Sequence, residues 1–465
     1  MPNKHLYLNL YENLKQQIIE GQYQSNDKFP SKRALSQHLS ISHTTIEHAY
    51  QLLLDEGYIY SKPRSGYFVS DIETLPIVNR NATHLNESPN QTISYRSNET
   101  SNNENNNETL AFNLSEIDAE YFPMKQFRKY ARDAFEDDQL SLLQRTNPKG
   151  EWQLRQEIAH YLFNSRGVTC HPEQIIIGSS TEQLINLVTD ILNKPQFYIE
   201  NPSYPPIKKI LDKKQIKYKQ ITVEKTGIAL EAFKKFNHNV AYVTPSHQFP
   251  TGYVMNLKKR TQLIQWAQQS EQRYIIEDDY DSEFRYFGKP IPALQSLGTK
   301  DKVIYISTFS KSLYPSCRMA YLVLPKNLCS RYDTLSNKES NTVPTHLQKM
   351  VASFMESGSF ERHLNKMRKV YKAKLKFIID ALTPYQEQLE VNGAFAGMHF
   401  TLTVRNGLTL DECLKRAKQN NLKIIPFNEY DQNLQDVKFI LGFGGIQFSK
   451  LEIHTQALIK TLIKK

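Results

Sequence analysis

Apolar residues recur at helical spacing from Leu6 to Glu20, with Leu10, Leu14 and Ile18 on one stripe and Gly21 placed to end the helix. Ser31 is positioned to cap a second helix running through Leu39. The short joint Ser40-Ile41-Ser42 leads to a third helix, capped by Ser42, buried along Ile46, Ala49, Leu53 and Leu54, and stopped by Gly57. The runs YIYSKP and GYFV read as two strands joined by a turn at Arg64-Ser65-Gly66. Helices followed by a hairpin at this length predict a winged helix-turn-helix over residues 1–70. Across residues 71–108 the pattern stops: Asn, Ser, Thr and Glu dominate and no period is sustained. Such a stretch cannot bury enough surface to offset its ordering entropy, which predicts a flexible linker. From Leu110 onward, helical stretches alternate with β-type runs: QIIIG, QFYIE, VAYVTP, YIIEDD and VIYIS. That alternation predicts an α/β domain over residues 109–465, with a mainly parallel sheet covered on both faces.

Composition narrows the class. The chain has 465 residues, 39% hydrophobic and 23% charged, which excludes wholesale disorder. No run approaches the roughly 18 apolar residues that span a bilayer, and no secretory signal opens the chain. Four scattered cysteines argue against a disulfide scaffold or a zinc site and fit a reducing cytoplasm. The net charge of +10 suits a polyanion partner, yet residues 1–70 carry 7 basic against 6 acidic side chains. Charge alone therefore does not locate a DNA-binding region; the pattern of residues has to.

That pattern is present. Ser42, His43, Thr44 and Thr45 open the third helix, where hydroxyls and free backbone N–H groups can meet phosphates or base edges. Arg33 opens the second helix, and Lys62 and Arg64 flank the wing beside Gly66, which permits close backbone approach. Each residue alone has an ordinary structural explanation, since Ser and Thr cap many helices; the set points to double-stranded DNA. The segment resembles the GntR family of bacterial regulators through Pro30, Ser31, Arg33, Leu35, Ser42, Thr44, Thr45, Ala49, Leu53, Glu56, Gly57, Gly66 and Val69.

In the C-terminal part, Ser307-Thr308-Phe309-Ser310-Lys311 follows the run VIYIS, and Arg318 lies a short step beyond. A lysine at a buried strand end can form a Schiff base with an aldehyde, and neighbouring hydroxyls with an arginine can hold a phosphate. That pairing suits pyridoxal 5′-phosphate (PLP). Asp278 and Tyr280 close the run YIIEDDYDSEF, where a carboxylate can face a pyridinium nitrogen and a phenol can bond the cofactor's phenolic oxygen. A metal is the other reading of the two acids, but no His or Cys lies near them in sequence. Ser180 and Thr181 sit at a strand–turn–helix junction able to cradle a phosphate, and Tyr204 is placed to stack on a ring, ordinary packing being its alternative.

Together these segments resemble fold-type I aminotransferases. More closely they resemble the MocR/GabR branch of the GntR regulators, through TPSHQFPTG, IEDDYDSEF, TFSKSLYPSCRMAY and GMHF. The resemblance implies a smaller C-terminal α+β subdomain and a homodimer. It also implies Lys311 as the PLP aldimine, Asp278 at the ring nitrogen and Tyr280 at the phenolic oxygen, with Arg318, Ser180 and Thr181 at the phosphate beside Thr308 and Ser310. His247 and Gln248 lie in the stretch that approaches the ring.

The chain departs from this pattern at the substrate anchors. Ile440 stands where aminotransferases carry a carboxylate-binding arginine, and Pro205-Pro206 follows Tyr204 where the GABA-responsive relative has a second. An apolar side chain cannot replace a bidentate guanidinium, leaving Arg405 and Arg331 as possible substitutes from elsewhere. The expectation is a PLP-responsive regulator of the PdxR type rather than an enzyme. The alternatives are a relative sensing an amino acid or another amine, or controlling efflux genes, and a true aminotransferase with a DNA-binding arm.

Overall fold

The computed structural model describes residues 6–19, 22–24, 26–39, 41–56, 58–62, 65–69, 109–136, 142–145, 147–286, 292–298, 301–335, 340–432 and 434–464. Gly21, Gly57, Arg64 and the expected linker 71–108 lie outside them. The chain divides into two compact units, residues 1–110 and 111–465.

In the first unit, α1 (Leu6–Ile19), α2 (Lys32–Leu39) and α3 (His43–Glu56) precede the hairpin β2 (Ile59–Lys62) and β3 (Gly66–Val69). Leu10, Leu14, Ile18, Leu35, Ile46, Ala49, Tyr50 and Leu53 meet in one apolar core, so the helical stripes read from sequence face one another. Ser31 Oγ accepts from the Ala34 N–H at 3.1 Å and Ser42 Oγ from the Thr45 N–H at 3.2 Å, capping α2 and α3. The wing gains a strand that periodicity missed. β1 (Lys28–Phe29) pairs antiparallel with β3, and two residues are too few to show an alternation. Gly66 has φ +101°, a left-handed conformation that glycine adopts without a Cβ clash, and this turns the wing.

In the second unit α4 (Trp152–Arg166) precedes an eight-stranded sheet built from β4 (Ile175–Gly178), β5 (Phe197–Asn201), β6 (Tyr218–Glu224), β7 (Gly227–Ile228), β8 (Val240–Val243), β9 (Tyr274–Asp278), β10 (Val303–Thr308) and β11 (Ala320–Val323). Its order is β4-β11-β10-β9-β8-β5-β6-β7. The five runs read from sequence are all strands. The central pairs are parallel, whereas β11 is antiparallel to both neighbours and β7 is antiparallel to β6. Strand alternation sends Tyr242, Ile276, Ile304 and Ile306 to one core, with Leu184, Ile185 and Val188 of α5 (Thr181–Ile191). Ala241, Val243, Ile275 and Val303 go to the other, with Leu263, Ile264 and Ala267 of α6 (Leu257–Gln268). A second sheet joins β12 (Leu389–Asn392), β13 (His399–Val404), β15 (Lys438–Gly442) and β14 (Ile425–Pro426), in that order. Among the described residues, no helix is long and apolar enough to cross a membrane.

Candidate functional site

Strand register gathers the chemistry at one edge of the large sheet. Ala320 of β11 pairs with Thr308 on one side and Gly178 on the other. Lys311, just past Thr308, Arg318, two residues before Ala320, and Ser180, two residues after Gly178, therefore emerge side by side. Asp278, paired with Ile306, ends the next strand along. Thr308 caps the short helix α7 (Phe309–Ser312) that carries Lys311, its Oγ1 accepting from the Ser310 N–H at 3.1 Å and lying 3.0 Å from Ser310 Oγ. Ser180 caps α5 by accepting from the Gln183 N–H at 3.2 Å, which leaves Thr181 as its first residue. Arg318 is exposed and held at φ +44°.

The Lys311 Nζ donates to the Leu114 carbonyl, and burial lowers its pKa from 10.5 to about 8, opposed by the Asp281 charge. Asp278 is buried. Its Oδ2 accepts from Tyr242 O–H at 2.5 Å, while Oδ1 has no hydrogen-bond partner. Burial raises this carboxyl to about 7, against the lowering effect of the Tyr242 hydrogen bond. Tyr242 and Asp278 are both even-numbered positions on adjacent parallel strands, with Tyr242 opposite Ile276, so they share a face. Tyr280 O–H lies 3.2 Å from His247 Nδ1, which also lies 2.8 Å from Asp281 Oδ2. His399, from the smaller sheet, stacks obliquely on His247 with ring centroids 4.4 Å apart. The Nε2 atoms of both imidazoles are buried without a partner, and burial depresses the His399 pKa well below its ordinary value. A side chain at Gly397 (φ +71°) would collide with His247 Nδ1 and Asp281 Oδ2.

Some expected roles look different in place. The Tyr204 hydroxyl donates to Glu182 Oε1 at 2.7 Å, and its ring meets Phe249 edge-on at 6.0 Å. Gln248 donates to the Pro202 carbonyl at 2.8 Å and the Phe249 carbonyl at 2.6 Å, bracing its loop. Sequence reasoning found no histidine near the acids, yet the fold brings in His247 and His399; with Asp281, their donor atoms lie within 4.8 Å of one another. Tyr242, Asp281, Glu182 and the Leu114 carbonyl were also missed. Only Tyr242 left a trace, as a hydroxyl-bearing position in an otherwise apolar run.

These groups fit PLP. The unpartnered Asp278 oxygen suits a ring N–H, the half-buried and weakly basic Lys311 suits an aldehyde, and the α5 N-terminus with Arg318 suits a phosphate. Among the described residues, the three positions considered as substrate-carboxylate anchors are engaged elsewhere. Ile440 is buried, paired with Thr401 and Ile425. Arg405 is held by Glu390 at 2.8 Å and Asp436 at 2.9 Å. The charge of Arg331 acts on Tyr274, at the opposite end of β9 from Asp278.

In the first unit, Ser42, His43 and Thr44 are exposed at the start of α3. Thr45 is half-buried, its Oγ1 2.7 Å from Ser42 Oγ. Arg33 is exposed on α2. Lys62 extends over the Phe68 ring at 4.6 Å and the Tyr60 ring at 5.5 Å, which fixes its charge on the wing.

Comparison with known proteins matches both halves. Residues 6–69 match the bacterial regulatory proteins of the gntR family, and residues 110–414 match aminotransferase class I and II. An HTH-type transcriptional regulator of Bacillus subtilis, YdeL, is 36% identical over 450 residues, covering 96% of this chain and 94% of the relative. The probable rhizopine catabolism regulatory protein MocR of Rhizobium meliloti is 29% identical, covering 95% and 90%. The chain belongs to the MocR-type GntR regulators. Another relative of this MocR-type regulator is the pyridoxine biosynthesis transcriptional regulator PdxR of Corynebacterium glutamicum, 28% identical, covering 84% and 82%. The second unit has the fold of PLP aminotransferases. An archaeal alanine:glyoxylate aminotransferase superposes with TM-score 0.69 at 20% identity, covering 77% of this chain and 91% of that one. A kynurenine aminotransferase of Pyrococcus horikoshii superposes with TM-score 0.66 at 22% identity and the same coverage. The MocR-type regulator is thus a DNA-binding transcriptional regulator with an aminotransferase-like domain.

Proposed function

We propose that this regulator binds PLP at Lys311 and couples that binding to promoter occupancy, and that PLP biosynthesis genes are its target. The observation that supports this reading is the buried, unpartnered Asp278 Oδ1 at the end of the strand beside the one that leads to Lys311, with Ile440 buried where a guanidinium would anchor a substrate. When bound, PLP supplies an aldehyde and an electron-accepting ring. Lys311 would hold the aldehyde, Asp278 would accept from the ring N–H, and Tyr280 would serve the phenolic oxygen. Ser180, Thr181, Thr308, Ser310 and Arg318 would hold the phosphate, and Tyr204 would pack against the ring. With Ile440 in place of a guanidinium, an amino acid is not oriented for turnover, so the domain serves as a sensor. Residues 1–70 act as the DNA-binding domain, with Ser31, Arg33, Ser42, His43, Thr44, Thr45, Lys62, Arg64 and Gly66 at the interface. Residues 71–108 act as the linker, and residues 109–465 as the effector domain. Two half-sites are read by a homodimer in the cytoplasm.

The test is a titration of the pure full-length protein with PLP while its affinity for a selected operator fragment is followed. A change in affinity that saturates with Lys311 occupancy supports the reading; unchanged affinity at full occupancy defeats it. A parallel assay with amino-acid donors and 2-oxo acids should show no appreciable turnover.

A further inference from the structure

The segment Phe112–Asp118 crosses the cofactor site on its way from the residues that follow the linker sequence. Its first end is tied by the Phe112 N–H to the Lys423 carbonyl at 3.2 Å, and by the Phe112 carbonyl to the Gly442 N–H at 3.3 Å. Its far end is tied by Asp118, which is buried and pairs with Lys374 Nζ at 2.6 Å. Between these ends it lies directly on a glycine path. A Cβ at Gly442 would strike the Asn113 carbonyl, and one at Gly445 would strike Glu116. At its middle, the Leu114 carbonyl accepts from Lys311 Nζ. The one side chain expected to react with an aldehyde is therefore also a tie on this segment.

We propose that Phe112–Asp118 reads the chemical state of Lys311 through the Leu114 carbonyl and is loosened when Lys311 becomes covalently occupied. This rests on the reading of Lys311 as the PLP-binding lysine. The neutral Lys311 amine adds to the aldehyde carbon, a C=N bond forms, and the aldehyde oxygen leaves as water with the two amine hydrogens. An ammonium nitrogen has three N–H donors; the linked nitrogen carries at most one proton. The Leu114 carbonyl then faces a planar nitrogen with at most one N–H, whose direction the C=N bond fixes, and the segment keeps only its end ties.

Hydrogen–deuterium exchange on the full chain tests this, with peptides covering residues 110–120 and borohydride labelling of Lys311 measured on the same samples. Loss of this hydrogen bond predicts an increase in exchange on the order of tenfold at the amides between Phe112 and Asp118 on PLP saturation, with the tied Phe112 amide unchanged. Lys311→Met should show the raised exchange without PLP. Lys311→Arg, which keeps a donor but cannot form the C=N bond, should stay protected with or without PLP. Labelled Lys311 with unchanged exchange overturns this inference and leaves the cofactor reading standing. Absence of labelling at saturating PLP overturns both. Equal exchange in the Met and Arg variants, each shown folded by circular dichroism, also overturns the role assigned to Leu114.

Discussion

The nucleophilic role proposed for Lys311 draws on desolvation, which makes its amine only weakly basic. The reactive form is the neutral amine, which forms as pH rises through the lowered pKa of about 8 rather than the ordinary 10.5. The rate of adduct formation with PLP should thus climb about tenfold per pH unit below 8 and level off above it, as stopped-flow absorbance would record. A rate still climbing steeply at pH 10 would show that the side chain is not desolvated. Asp278 depends on Tyr242 in a similar local way. Tyr242→Phe removes the donor to Asp278 Oδ2, so the carboxylate facing the ring should be harder to ionise. PLP affinity should fall about tenfold, read by equilibrium dialysis, with unchanged circular dichroism. Lysine, aspartate and tyrosine were legible at these positions because a short motif carries each. The Tyr242 contact was not, because a strand sequence states which face a residue takes but not which neighbour it meets. The pairing of His247 with His399 was hidden for a stronger reason: 151 residues lie between two rings whose centroids are 4.4 Å apart, and no local pattern encodes that contact.

At the scale of elements, caps and turns carried most of the information. The helices of the first unit begin where Ser31 and Ser42 predicted, because a hydroxyl that satisfies an orphan N–H leaves a local signature. Ser42→Ala should destabilise the first unit by about 1 kcal/mol in chemical denaturation, with Thr45 losing its partner as well. Gly66→Ala forces a Cβ into the left-handed region and should cost about 1–2 kcal/mol, lowering operator affinity through the wing. Open space around Gly66 means this cost is conformational rather than steric. The two-residue strand β1 and the antiparallel strand β11 escaped notice in the sequence. The first is too short for periodicity, and the second sits inside a motif whose chemistry drew attention away from its backbone.

For the whole molecule, the proposed function assigns DNA recognition and cofactor chemistry to different units, so they should separate under mutation. Arg33→Ala should weaken operator binding and reduce the salt dependence by about one phosphate contact, leaving the PLP absorbance intact. Lys311→Ala should do the reverse, abolishing the absorbance while non-specific DNA binding at low salt persists. Loss of both properties from either change would contradict the assigned division of labour. The bare backbone at Gly397 carries a further implication. With no volume available over the imidazole and carboxylate beneath it, any replacement must evict one of them. A random-mutagenesis screen for proteins that still occupy their promoter yet have gone deaf to the vitamer should return codon 397 repeatedly, although its residue bears no reactive atom.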